Sequence, residues 1–326
     1  MSLKTAFIAA SIAFLAGPMQ AQTPAPAPFP SKSLRFIVPF PPGGTLDVLA
    51  RTVSNELGPA LGQTVVVENR PGASGVLGAE LVARAPADGH TLMICSNTLV
   101  TLPAMRNDLP FDVFNDFAPV IELGGTPTVI TVHPSFPARD LKQFIEVVKN
   151  TKGGVNYNSP GIASPPHIAG ELLARAADIP LVHVSYRGTQ PAVSDLVAGH
   201  VPVMMAPLNA VLQFIDDRQL YPIALTDGAR SKYLPDVPTL REAGISNMPP
   251  VTSWFAVLTT GGTPAGAISR LNMEIAKILR DPKVQERLAS QTFEIKGGSP
   301  EELAKRMRQD ATTNAKVVAE ARITAE

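Results

Sequence analysis

The chain has 326 residues, 28 of them basic and 28 acidic, with 45% hydrophobic side chains and a single cysteine. So even a charge balance argues against nucleic acid, which demands a basic face, and against a polybasic membrane patch. One cysteine excludes an intramolecular disulfide, and the length is enough for two domains.

Lys4 precedes an apolar run, Ala6 to Gly17, interrupted only by Ser11. The run is shorter than the roughly 20 residues that span a bilayer, and it matches a secretory h-region. Residues 1–21 are therefore expected to be a signal peptide cleaved after Ala21, and 22–31 a linker stiffened by Pro24, Pro26, Pro28 and Pro30. Its removal leaves 27 basic against 28 acidic residues. No later stretch is long and apolar enough to span a membrane, so the mature protein is expected in the periplasm of a Gram-negative cell.

The first folded stretch, Arg35-Phe-Ile-Val-Pro-Phe-Pro-Pro-Gly-Gly-Thr-Leu-Asp-Val-Leu-Ala-Arg51, reads as a buried strand, a Pro/Gly loop and a helix start. Leu46, Leu49, Ala50, Val53 and Leu57 give that helix one apolar face. Pro41 and Pro42 stiffen the loop, Gly43 and Gly44 clear side chains from it, and Thr45 suits an N-cap. An anion-binding loop is one reading, because a helix start offers unpaired N–H groups. An ordinary strand-to-helix turn is the other. Neither a P-loop nor a dinucleotide fingerprint is present.

Strands are predicted at Phe36–Val38, Val65–Glu68, Thr91–Cys95, Val129–Val132, Val155–Tyr157, Val182–Val184, Val203–Met205, Ile223–Leu225 and Phe255–Leu258. Helical patterns alternate with them, which is the signature of α/β architecture with mostly parallel sheets flanked by helices. Cys95, inside one such strand, reads as buried and inert. Pro264–Leu279, Pro282–Ala289 and Pro300–Val318 read as closing helices, two of them opened by Ser or Asp before Pro. Loops rich in Gly, Ser, Thr and Asn follow several strands: 69–75, 96–98, 158–166 and 187–191. Ligands of open α/β sheets bind outside the carboxyl ends of strands, so these loops point to a shared neutral-polar pocket.

Val38-Pro-Phe-Pro-Pro-Gly-Gly44 with Asp47, Val67-Glu-Asn-Arg-Pro-Gly72, Asp88-Gly-His-Thr-Leu92, Phe117-Ala-Pro-Val120, Ser159-Pro-Gly161, His167-Ile-Ala-Gly-Glu171, Tyr186-Arg-Gly188, Leu234-Pro-Asp-Val-Pro238 and Gly297-Gly-Ser-Pro-Glu301 occur in this order. Together, across residues 32–326, they resemble the Bug-type periplasmic binding proteins, the solute receptors of tripartite tricarboxylate transporters. The resemblance implies two α/β lobes closing on a small carboxylate in the cleft between them. It implies no cofactor, a monomer, and the transporter's membrane subunits as partners. No metal and no enzymatic activity are expected from the residues themselves, since His167 and Glu171 have no third ligand nearby, no H-E-x-x-H occurs and no carboxylate pair is placed for acid–base work. The chain would cross between lobes near Thr126–His133 and Ser253–Leu258, giving lobe one as 32–126 with 259–326 and lobe two as 127–258. Site residues carried over are Phe40, Gly43, Gly44, Thr45 and Asp47, then Ser96, Asn97 and Thr98, and from lobe two Ser159, Gly161 and Ser164. Ala206 stands where relatives often carry an acid, which implies a ligand without a free amino group.

Some single residues carry two readings. Asp47 caps its own loop or faces the ligand, and Trp254 stacks on the ligand or packs at the crossing. Arg187 is either a solvated surface side chain or a carboxylate partner. A sensory subunit for a membrane signalling protein and a secreted hydrolase remain as rival functions. No G-x-S-x-G elbow supports the hydrolase.

Overall fold

Alternating apolar strands and amphipathic helices fold as two sheets, each covered by helices on both faces. The computed structural model describes residues 29–320, 322 and 323. The signal peptide expected over 1–21, and most of the linker expected over 22–31, lie outside the described residues.

The elements run β1 (Leu34–Val38), α1 (Thr45–Leu61), β2 (Val65–Asn69), α2 (Val76–Ala83), β3 (Thr91–Ser96), α3 (Thr98–Met105) and β4 (Phe117–Thr126). Next come β5 (Thr128–Val132), α4 (Leu141–Asn150), β6 (Val155–Ser159), α5 (Pro165–Ala176), β7 (Leu181–Ser185), α6 (Thr189–Val197), β8 (Val203–Pro207), α7 (Leu208–Asp216) and β9 (Tyr221–Leu225). The chain closes with β10 (Ser253–Thr260), α8 (Ala265–Arg280), α9 (Pro282–Ala289), β11 (Glu294–Ile295) and α10 (Pro300–Glu320).

The first sheet has the order β11-β4-β10-β3-β1-β2 and the second β7-β6-β8-β5-β9. Parallel pairing, as the alternation of strands and helices implied, holds for β2-β1-β3 and for β7-β6-β8. Where the chain passes between sheets the pairing turns antiparallel. β10 runs against β3 and β4, and β5 runs against β8 and β9, so both sheets are mixed. β4 passes to β5 through Pro127 alone, and β10 pairs within the first sheet from Ser253 onward.

Period-two alternation sorts the strand side chains between faces. Phe36 and Val38 pack with Leu49, Val53 and Leu57 of α1 and with Leu271 and Ile275 of α8. Ile37, between them in sequence, joins Met93, Cys95 and Val82 on the other face, under Leu303 and Met307 of α10. With both faces covered, the strands read as unbroken apolar runs. Cys95 is 2% exposed, and burial pushes its thiol well up from its ordinary value. The second sheet is covered in the same way, by Phe144 and Leu173 on one face and Val193, Leu196 and Val211 on the other.

Candidate functional site

The strand ends of both sheets face each other across a cleft of about 580 Å³, counting its part open to solvent. Its construction begins at the loop after β1. Gly43 sits at φ +81°, a left-handed conformation that glycine adopts without strain, and its N–H donates to Asp47 Oδ2 at 2.9 Å. The same carboxylate accepts from Arg51 Nε at 3.0 Å and from Asn69 Nδ2 at 2.9 Å. Burial opposes the charge on Asp47, but Arg51, the Gly43 N–H and Asn69 outweigh it and hold the carboxyl below its ordinary value. Asp47 thus orders the loop from behind, with its charge spent on these partners.

No side chain caps α1, which starts after Gly44. Gly44, Thr45 and Leu46 line the cleft, so the first turn of a 17-residue helix faces it with uncovered N–H groups and the positive end of its dipole. Directly opposite, α6 starts after Gly188 (φ +118°), also without a side-chain cap, and Thr189 and Gln190 line the cleft. The two starts touch: Gln190 Nε2 donates to Gly43 O at 2.8 Å, and Asn209 Nδ2 of α7 donates to Thr45 Oγ1 at 3.0 Å. The Thr45 hydroxyl is therefore engaged across the cleft.

The other helix starts differ. In α5, Pro165 and Pro166 have no N–H, and the His167 N–H is taken by Ser164 Oγ at 3.3 Å. Ser164 in turn donates to Gly161 O at 2.6 Å. At α3, Ser96 Oγ donates to Thr98 Oγ1 at 3.0 Å and accepts from the Thr98 N–H at 3.4 Å. At α7, Pro207 has no N–H and the Leu208 N–H goes to Pro127 O at 2.8 Å.

Of the residues singled out from sequence, Phe40, Gly44, Thr45, Ser96, Thr98 and Ser164 line this cleft. Gly43 and Asp47 support it from the loop. Asn97 donates from Nδ2 to Thr252 O at 2.9 Å and lines a separate groove beside α10. Ser159 is fully buried, with its Oγ 2.7 Å from His183 Nε2. Gly161 accepts from the hydroxyls of Ser159 and Ser164, and its neighbour Pro160 forms the wall. Ala206 lies inside β8, in the lobe-two core, and the wall at that point is Pro207.

Sequence reasoning did not single out Thr189, Gln190, Pro207, Ser253 or Phe255. Thr189 and Gln190 belong to a loop recognised by its Gly and Thr, and Pro207 follows a recognised strand. Ser253 and Phe255 carry no local signal, because β10 reaches the cleft only through its pairing with β3 and β4. Trp254, 1% exposed, points to the opposite side, where Nε1 donates to Asp310 Oδ2 and Arg306 lies 5.6 Å from the ring centroid. Arg187 is absent from the cleft wall and lines an adjoining outer hollow with Tyr186 and Ser74.

Among the described residues no group of three or more His, Cys, Asp or Glu is arranged to hold a metal ion. No helix among them is long and apolar enough to cross a membrane.

A profile of the tripartite tricarboxylate transporter family receptor matches residues 49–323. The UPF0065 protein of the tcbD-tcbE intergenic region of Pseudomonas sp. (strain P51) is 37% identical, over 91% of this chain and 88% of that protein. Protein BugT of Bordetella pertussis is 34% identical, over 85% and 84%. An R. palustris protein solved with adipate superposes with a TM-score of 0.85 at 28% identity, covering 91% of this chain and 99% of that one. MatC of Rhodopseudomonas palustris with bound malate gives 0.84 at 29%, covering 89% and 100%. With matches of this extent, the chain belongs to the tripartite tricarboxylate transporter receptor family, whose Bug-type members are two-lobed periplasmic binding proteins.

Proposed function

We propose that this protein is an exported receptor that captures a small organic acid in the cleft and delivers it to the membrane subunits of a tripartite tricarboxylate transporter. The observation that carries this reading is the meeting of two uncapped helix starts, those of α1 and α6, in a cleft whose walls hold no charged side chain. N–H groups at helix starts hydrogen-bond a carboxylate without a counter-cation. The adipate and malate in the two R. palustris structures are acids of this kind. Gly44, Thr45, Ser96, Thr98 and Ser164 are the proposed contacts from sequence, joined by Thr189 and Gln190. The lobes are proposed to divide at the two crossings, and the mature protein to work as a periplasmic monomer without cofactor or metal.

Binding rather than catalysis fits the buried serine–histidine pair behind the loops. Ser159 and His183 are within hydrogen-bond reach, but Ser159 is fully buried and burial drives His183 down to about 3, leaving a poor base.

A ligand bound at a hundredfold excess over Kd should stabilise the fold by about 2.7 kcal/mol. A panel of mono-, di- and tricarboxylates that leaves Tm unmoved would defeat the carboxylate reading. Gly44 has ordinary backbone angles and a Cβ there would sit 3.7 Å from Pro41 O, so Gly44→Val should fold yet block close approach to the α1 start. Its affinity should drop at least tenfold, whereas Arg187→Ala should change it little. Because the donors are neutral, affinity should vary weakly between low and high salt. Calorimetry in which Arg187→Ala abolishes binding and Gly44→Val does not would place the carboxylate on an ion pair instead. Uptake of the labelled acid by cells deleted for this chain, and by cells deleted for the membrane subunits, tests delivery.

A further inference from the structure

The cleft's donors are concentrated at one end. The uncapped starts of α1 and α6 meet each other, while α5 begins with two prolines and spends its next N–H on Ser164; α7, which also lacks a side-chain cap, follows Pro207 and gives its Leu208 N–H to Pro127. The remaining wall is six prolines with Phe40, Leu46, Phe255 and a few hydroxyls, and no Lys, Arg or His among them. A carboxylate satisfied at the α1–α6 junction is well served. A second one farther along the wall would lose its water and meet no cation, a costly burial.

Phe40 occupies the boundary of three spaces. Its side chain forms a wall of the cleft, of the outer hollow beside Arg187, and of a small inner cavity, about 20 Å³ as it stands, lined by Met93, Cys95, Leu99 and Leu102. Its ring edge rests on Gly75, where a Cβ would come within 3.3 Å of Phe40 Cε2. The inner space is apolar and shares Ser96 and Thr98 with the cleft, so the Phe40 ring stands between them.

We propose that the ligand is a monocarboxylate with an apolar body, and that Phe40 sets the length of that body by closing off the inner space. This deepens the carboxylate-receptor reading and rests on it. The carboxylate lies between the α1 and α6 starts, and the body packs along the proline wall towards Phe40.

Hexanoate and adipate have the same number of carbons and differ by one carboxylate, so they test the charge. Calorimetry on the mature protein should give hexanoate at least tenfold tighter than adipate. Adipate binding as tightly or more tightly would overturn the monocarboxylate assignment and leave the receptor reading standing. If neither acid, nor any other carboxylate tried, binds, the receptor reading itself falls. For the length, Phe40→Ala should shift the optimum from hexanoate towards octanoate by at least tenfold in relative affinity. Phe40→Leu, a milder change that keeps an apolar plug, should shift it less. Thermal melts confirm that both variants are folded. An unchanged length profile in folded Phe40→Ala and Phe40→Leu would remove Phe40 from this role.

Discussion

His167 and His183 lie ring on ring, with centroids 4.0 Å apart, behind the loop that ends at Ser164. Burial pushes His167 down to about 4, and burial with the neighbouring His167 pushes His183 down to about 3. Both are neutral in the fold, and the unfolded chain protonates them first, near pH 6.5. Stability from this pair is therefore complete above about pH 6.5 and is lost as pH falls towards 4 and then 3. Melting temperature should decline over that window, and a His167→Phe, His183→Gln double variant should show a shallower decline. Paired carboxylates act lower on the scale. Glu68, held at about 2 by its hydrogen bond to Arg35 against the cost of burial and with help from Arg70, loses its contribution only below about pH 4.5. A variant with the wild-type slope between pH 6.5 and 4 would assign the effect elsewhere.

At the scale of elements, α5 shows packing overruling propensity. Gly170 lies in the middle of this helix, where alanine would ordinarily gain about 1 kcal/mol. A Cβ there would come within 2.3 Å of the Tyr157 ring, and Tyr157 is fully buried with its OH donating towards His167 O and Glu171 Oε1. The ring cannot yield, so Gly170→Ala should destabilise by about 1–3 kcal/mol despite its better helix propensity. Urea denaturation settles the sign, and a stabilised variant would mean that Tyr157 can move. β4 shows the converse, pairing overruling sequence pattern. Pro119, Glu122, Gly124 and Gly125 interrupt its apolar run, yet it pairs with β10 and β11 across the first sheet. Glu122 is tolerated there because Lys296 at 3.1 Å and Arg306 at 2.6 Å neutralise it. A Cβ at Gly124 would lie 2.0 Å from Glu294 O, so only glycine lets β11 approach.

For the whole molecule, the contacts that span the cleft and the groups beside the crossings are expected to set how readily the proposed lobes separate. Asn209→Ala removes the bond to Thr45 and should release ligand faster, weakening affinity by about 1 kcal/mol through the dissociation rate. Stopped-flow release with an unchanged off-rate would show that this contact does not hold the closed form. Asp227 lies in a cavity with Pro127, Ser253 and Glu294. Burial raises its carboxyl to about 7, against the Thr128 N–H that it accepts at 2.9 Å and with a further push from Glu294. Its unfolded form ionises near pH 4, so ionisation costs stability progressively as pH rises from 4 through 7. Asp227→Asn keeps an acceptor for Thr128 and should stabilise the protein by on the order of 2 kcal/mol at pH 8 and not at pH 4. Equal melting curves at pH 8 would contradict this. Trp254, packed on this side of β10, reports on the crossings rather than on contact with ligand.

By itself the sequence determined the alternation of strands and helices, because apolar period and Pro/Gly punctuation are local and survive without tertiary context. It also determined which loops carry Gly, Ser and Thr at a helix start, but not which of those starts keep their N–H groups free. Several things were decided only by the tertiary structure. Whether Ser159, Asn97 and Ala206 face the cleft or the core depends on the register of β6, β8 and β10. Whether Asp47 meets a ligand depends on Arg51 and Asn69, which reach it from a helix turn and from another strand. Phe255 and Ser253 arrive at the cleft through antiparallel pairing with strands more than a hundred residues earlier in the chain. Long-range pairing leaves no trace in local periodicity, and it sets which side of each strand end the cleft sees.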